Sequence, residues 1–135
     1  MDEALDRIAG VRVGHLATTR PDGTPHLVPM VFAVTSGRVV TAIDWKPKSD
    51  RRLQRLANIE ANPTVSFLAH HYSEDWSKLW WVRVDGTATL HRTGPVWEEA
   101  TDALRVKYTQ YRERPPEGEV ISITPTGINS WSSRP

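Results

Sequence analysis

The sequence predicts an antiparallel α+β barrel. Three observations carry this: six short segments read as strands, two longer segments read as amphipathic helices, and the first strands are joined by hairpin-type turns. The resulting order, β-β-β-α-β-β-α-β, lacks the strict alternation that a parallel doubly wound sheet requires.

Each element follows from its residues. Residues 2–9 can form a short helix, with Asp2 and Glu3 at its positive end and Leu5, Ile8 and Ala9 on one face. Val11 to Thr19 reads as a strand. Arg20 to Pro25 is turn chemistry, because Pro21 sets φ and Gly23 supplies a positive φ. His26 to Val34 completes the hairpin. Pro29 cannot donate to a ladder, which places it at an edge or a bulge. Thr35 to Gly37 turns again, and Arg38 to Ile43 is a third strand. After a loop, Ser49 is the expected N-cap of a helix to about Ala61, with Leu53, Leu56, Ala57 and Glu60 sharing a face.

Thr64 to Ala69 alternates as a fourth strand, and His70 to Lys78 is a polar loop. Leu79 to His91 is a long fifth strand, with Trp80, Val82 and Val84 on one face and Trp81, Arg83 and Asp85 on the other. Pro95 suits the first position of a helix running to about Tyr111. Glu119 to Thr124 is the sixth strand. Pro125 to Gly127 is an expected turn, with Ile128 to Trp131 as a short added edge.

The whole chain bounds the function. Its 135 residues fit one domain, 1–135. It has no cysteine, so neither a disulfide framework nor a thiolate metal site exists, which fits a cytoplasmic location. No apolar run approaches the ~20 residues of a membrane span. A net charge of +1 gives no global field to recruit nucleic acid. Six tryptophans suit a wide apolar interface, a ring-stacking site or ordinary core packing.

Two segments could carry chemistry. Residues 46–55 hold Lys46, Lys48, Arg51, Arg52 and Arg55 against one acid, Asp50. The run enters a predicted helix N-terminus, where free N–H groups and the dipole favour phosphate. It reads equally as a solvated basic face. Trp81 and Arg83 share one strand face, which suits a planar anionic ligand or a packed tryptophan beside a surface arginine. His70 and His71 with Glu74 and Asp75 form the one His-rich cluster. Adjacent strand residues point to opposite faces, so no metal site is expected there. Neither a phosphate loop nor a dinucleotide fingerprint is present.

Gly14-His-Leu-Ala-Thr18, Pro21-Asp-Gly-Thr-Pro25, Val39 to Asp44, Asn58-Ile-Glu-Ala-Asn-Pro63 and Trp80-Trp-Val-Arg-Val-Asp-Gly86, in this order and spacing, resemble the pyridoxamine 5'-phosphate oxidase-like split-barrel superfamily. The branch they resemble most is that of the deazaflavin (coenzyme F-420)-dependent oxidoreductases. The resemblance implies a six-stranded antiparallel split β-barrel (the FMN-binding split barrel) with flanking helices, and a homodimer with cofactor sites at its interface. It implies phosphate binding by Lys46, Lys48, Arg52 and Arg55. It places the cofactor ring along Val28, Pro29, Met30 and Val31, and Trp81 and Arg83 beside cofactor or substrate. The oxidases' second-strand Arg and Lys are here Val28 and Ala33, and their R-Q-V-R is Trp80-Trp-Val-Arg83. Vitamin B6 oxidation is therefore not expected. The implied activity is hydride transfer between F-420 and an unsaturated small-molecule substrate. The alternatives are an FMN-dependent oxidase or reductase, and a non-catalytic carrier of a flavin, deazaflavin or tetrapyrrole. Tyr72 and His71 are candidate proton donors.

Overall fold

The computed structural model describes residues 2–44 and 53–133. The element order is α1 (Glu3–Ile8), β1 (Gly14–Thr19), β2 (Pro25–Met30), β3 (Ala33–Thr35), β4 (Arg38–Ala42), α2 (Gln54–Ala61), β5 (Thr64–His71), β6 (Trp80–His91), α3 (Pro95–Lys107), α4 (Thr109–Glu113) and β7 (Val120–Ser132). A short 3-10 turn at Trp76–Lys78 precedes β6. All strands join one antiparallel sheet in the order β2-β1-β5-β6-β7-β4-β3.

The two outermost strands, β2 and β3, are separated by only Val31 and Phe32. Three Cα steps span about 11 Å at most. A flat sheet of this width would separate its edges by about 28 Å. The sheet must therefore curl until its edges meet, which makes the expected split barrel. The strand count is seven rather than six because the expected strand His26 to Val34 breaks at this seam. Phe32 is fully buried there, and its amide bonds a tyrosine hydroxyl instead of a ladder partner. Pro29 lies on the edge strand β2, opposite His15, where its missing N–H costs nothing.

The barrel interior is filled by Leu16, Phe32, Val39, Phe67, Val82, Val84 and Ile123, closed below by α1 and α2. Phe32 and Phe67 pack edge to face. A second cluster sets Ala100, Leu104, Tyr108 and Tyr111 against Ala33, Val40, Ala42 and Val120. In β6 the expected alternation holds: Val82 and Val84 are buried while Arg83 is exposed.

Four expectations need correction. Pro125 to Gly127 is no turn: β7 runs unbroken, and Thr126 is the extra residue of a bulge between the pairs Gly86–Pro125 and Asp85–Gly127. The helix from Pro95 stops at Lys107, since Tyr108 is extended and α4 restarts at Thr109. Helix α2 begins at Gln54, with the extended Leu53 as its N-cap, and the expected cap Ser49 lies outside the described residues. Its buried residues are Leu56, Asn58 and Ile59, with Ala57 and Glu60 exposed. Asn58 donates to the Thr18 hydroxyl at 2.9 Å, which turns a polar residue inward. No helix among the described residues is long and apolar enough to cross a membrane.

Candidate functional site

The seam is held from three sides. Thr41 on β4 donates its hydroxyl to the Val31 carbonyl at 2.7 Å. The Tyr108 hydroxyl accepts from the Phe32 amide at 3.1 Å and lies 2.9 Å from the carbonyls of both Phe32 and Arg12. Lys107 Nζ donates to the Phe32 carbonyl at 2.8 Å and stands 3.8 Å from the centre of its ring. Arg12 Nη1 donates to the Lys107 carbonyl at 2.8 Å, and its guanidinium lies over the Tyr108 ring. The break between α3 and α4 makes this arrangement, because it turns Lys107 and Tyr108 together toward the seam. Burial, aided by the charge of Arg12, pushes the Lys107 amine down to about 8. Burial pushes the Tyr108 phenol up.

A groove of about 700 Å³ opens on this network, lined by Arg12, Val13, Val31, Asp44, Lys107, Tyr108, Tyr111 and Arg112 among others. Tyr111 donates its hydroxyl to Asp44 Oδ1. Burial and then the Asp44 carboxylate push the Tyr111 phenol far above its ordinary range. Burial lowers the pKa of Arg55, on α2, while the nearby Asp44 carboxylate works against that shift. Its Nε is buried without a hydrogen-bond partner among the described residues, as is Nδ1 of His26. Burial lowers the His26 pKa, and the charges of Arg20 and then Arg55 lower it further.

A second hollow, of about 450 Å³, lies on the outer face of β5, β6 and β7 and includes Leu68, His70, Trp81, Arg83 and Trp131. Trp81 and Trp131 are cross-strand partners. Arg83 Nε donates to Asp85 Oδ1 at 3.1 Å, and Ser66 donates to the same oxygen at 2.7 Å. His15 stacks on His70, with ring centres 6.1 Å apart. His71 points the other way and stacks on Trp80. Among these polar groups the face exposes three large apolar side chains, Leu27 at 66%, Trp131 at 45% and Leu68 at 36%.

The family model described as pyridoxamine 5'-phosphate oxidase matches residues 1–132. The chain belongs to the pyridoxamine 5'-phosphate oxidase family. Among solved structures it is similar to the conserved hypothetical protein Rv2991 of Mycobacterium tuberculosis, at 26% identity and a TM-score of 0.80, over 99% of this chain and 86% of that one. It shares the fold of a FAD-binding protein from Mesorhizobium loti, at 19% identity and a TM-score of 0.73, over 95% of this chain and 91% of that one. It also shares the fold of the FAD-binding protein of Mycobacterium smegmatis, at 22% identity and a TM-score of 0.65, over 96% of this chain and 91% of that one. Among curated proteins, none matches in sequence.

In this member of the pyridoxamine 5'-phosphate oxidase family, the residues singled out in the sequence fall in different places. Val31 lines the seam groove, and Arg55, not among its lining residues, stands near Asp44 and Tyr111, which are. Met30 is buried in the barrel core, Val28 packs against that core, and Pro29 is exposed. Trp81 and Arg83 line the outer hollow, which shares no residue with the groove. Lys46, Lys48 and Arg52 lie outside the described residues. Arg12, Asp44, Lys107, Tyr108 and Tyr111 were not singled out in the sequence. The one local signal for them was Tyr108 and Tyr111 at the end of an apolar-patterned helix.

Proposed function

We propose that this chain is an oxidoreductase that binds a flavin-type tricyclic cofactor beside the seam and works as a homodimer. The observation that carries the reading is the seam groove itself. Its 700 Å³ fall within the usual range of small-ligand sites, about 300–1,000 Å³. It has an apolar wall at Val31, phenol rings at Tyr108 and Tyr111, and cations at Arg12 and Lys107. The buried Nε of Arg55, without a partner among the described residues, suits an anionic group, and the basic run Lys46, Lys48 and Arg52 precedes it in the chain. Such a cofactor supplies hydride chemistry at its ring when bound. The protein's part is to hold the phosphate, to present an apolar wall, and to set the substrate within transfer distance.

The proposed cofactor is the deazaflavin F-420. Val28 and Ala33 stand where the family's oxidases carry cations, which favours a ring environment unlike theirs. The FAD-binding proteins that share the fold favour a flavin, FMN or FAD, as the second reading. The exposed side chains of Leu27, Leu68 and Trp131 on the outer face support the dimer. The test is separate titration of F-420, FMN and FAD into the purified protein, followed by turnover of an added unsaturated acceptor. Tight F-420 binding with turnover is the expected result. Retention of FMN or FAD through desalting would replace the first reading with the second. Binding without turnover of any acceptor would make the chain a carrier, and no binding would sink both readings.

A further inference from the structure

Where α2 packs on β1, two buried nitrogens stand without a partner among the described residues, Nδ1 of His26 and Nε of Arg55. His26, on β2, pairs with Thr18 of β1, and paired residues share a strand face. Thr18 is buried and its hydroxyl accepts from Asn58 of α2 at 2.9 Å. Arg55 precedes Asn58 by three residues, which puts both on one side of the helix. The charge of Arg55 acts on His26, so the two unpartnered groups belong to one neighbourhood.

The polar groups around them are engaged. Asn58 donates to Thr18 and accepts from Gln54 at 2.8 Å. Asp44 accepts the Tyr111 hydroxyl. Asp22, in the turn between β1 and β2, accepts from the amide and the hydroxyl of Thr24. Arg20 donates to the Pro25 carbonyl at 2.6 Å. The charges that act on His26, those of Arg20 and Arg55, are both positive, and with burial they hold its pKa below the ordinary value. A buried donor left unpaired is costly, so the arrangement calls for a group that accepts from both residues. The Nε–H of arginine can only donate, and a charged imidazole donates from both nitrogens. An anion meets both needs, and its charge opposes the two cations that keep His26 neutral.

We propose that His26 shares with Arg55 the anion that enters there, and that the imidazole takes up a proton as the anion binds. The inference rests on the proposed function, in which Arg55 holds the anionic part of the cofactor, and it adds control of that step by pH. A site that holds more protons when filled than when empty binds more tightly as pH falls. Affinity should therefore rise toward acid by up to about tenfold per pH unit, between the His26 pKa of the filled site and the lower one of the empty site.

The test follows the assigned His26 ring of the full chain by NMR from about pH 5 to 8, in sodium sulfate against sodium chloride at equal ionic strength. Sulfate keeps its charge throughout, so the titration belongs to the protein. It is expected to move the His26 midpoint upward by about 0.5 or more, and Arg55→Gln should abolish the move. In parallel, F-420, FMN and FAD are titrated by calorimetry into the unmodified chain and His26→Gln, in two buffers of different ionisation enthalpy. The cofactor that binds should take up more protons with the unmodified chain, by up to one, since the difference between the chains cancels the ligand's own ionisation. His26→Gln should weaken that cofactor about tenfold near pH 6 and far less near pH 8. A His26 midpoint unmoved by sulfate and by every cofactor would overturn the proposal, and so would equal proton uptake in both chains. If His26→Gln fails to fold, the ring titration of the unmodified chain decides alone. A midpoint moved by sulfate with no uptake of any cofactor sinks the proposed function and leaves the His26–Arg55 site. Cofactor binding with no movement of His26 sinks the proton coupling alone.

Discussion

The Tyr108 hydroxyl lies 3.1 Å from the Phe32 amide nitrogen and 2.9 Å from the Phe32 carbonyl oxygen. One phenol thus serves both backbone groups of the residue at which β2 gives way to β3. The Phe32 carbonyl has a second partner in Lys107, but its amide bond is to Tyr108. Tyr108→Phe is therefore expected to leave a buried N–H unpaired and to cost about 1–3 kcal/mol of stability. Urea denaturation measures it. A loss below about 0.5 kcal/mol would mean that the seam is held by packing alone.

The bulge in β7 makes a second expectation. A Cβ built on Gly86 would stand 2.5 Å from the Thr124 carbonyl oxygen and 2.9 Å from Ile123 Cγ2. The first obstacle is ladder backbone, which cannot swing aside like a side chain. Gly86→Ala should destabilise by about 1–3 kcal/mol through overpacking. Gly127, across the bulge, has nothing within 4 Å of its Cβ position, so Gly127→Ala is the control and should be far milder. Equal melting temperatures for the two variants would contradict the register described here.

These two sites also mark where sequence reading succeeds and fails. The alternation of β6 and the turn at Gly23 were legible because both are local: a period of two, and a glycine at φ +88° bracketed by the Arg20 and Thr24 hydrogen bonds. The break at Phe32 was not legible, because the hydroxyl that takes its amide comes from 76 residues away. Pro125 and Gly127 carry turn chemistry, and only the pairing with β6 turns them into a bulge. Asn58 was not among the face residues expected for α2, and its burial depends on Thr18, 40 residues earlier, which gives it a partner. The site divides the same way. Val31 and Arg55 were picked out in the sequence, whereas Arg12 and Lys107 meet only through folding.

The outer face gives a third expectation. If Leu27, Leu68 and Trp131 lie at a two-fold interface, a charge there would be buried without a partner. Leu68→Asp should convert a dimer of about twice 15.3 kDa into a monomer at micromolar concentration. Light scattering on the unmodified chain and the variant decides. A monomer in both removes the dimer from the proposed function, and a dimer in both moves the interface elsewhere.

The last expectation concerns Arg55. Folding places this guanidinium mostly out of water, with Asp44 and Tyr111 nearby and a buried Nε that no described residue satisfies. Two roles account for that arrangement and make opposite forecasts. If Arg55 only balances Asp44, Arg55→Ala leaves an acid in a less favourable setting, and stability falls with cofactor affinity unchanged. If Arg55 holds the anionic part of the cofactor, losing a charge-assisted hydrogen bond of roughly 1.5–3 kcal/mol weakens binding about 10- to 150-fold. The second outcome is the expected one. Arg55→Lys should recover only part of the affinity, because a point charge cannot reproduce the planar fork. Salt adds an independent check. A half-buried pair is screened less than a surface one, so the affinity lost between low salt and about 0.15 M should be smaller through Arg55 than through the Lys46–Arg52 run if that run binds from the surface. Isothermal titration of F-420, FMN and FAD into the unmodified chain, Arg55→Ala and Lys48→Ala at two ionic strengths reads all three effects. Unchanged affinity in Arg55→Ala, together with a lowered melting temperature, would assign the residue to the fold and remove it from the site.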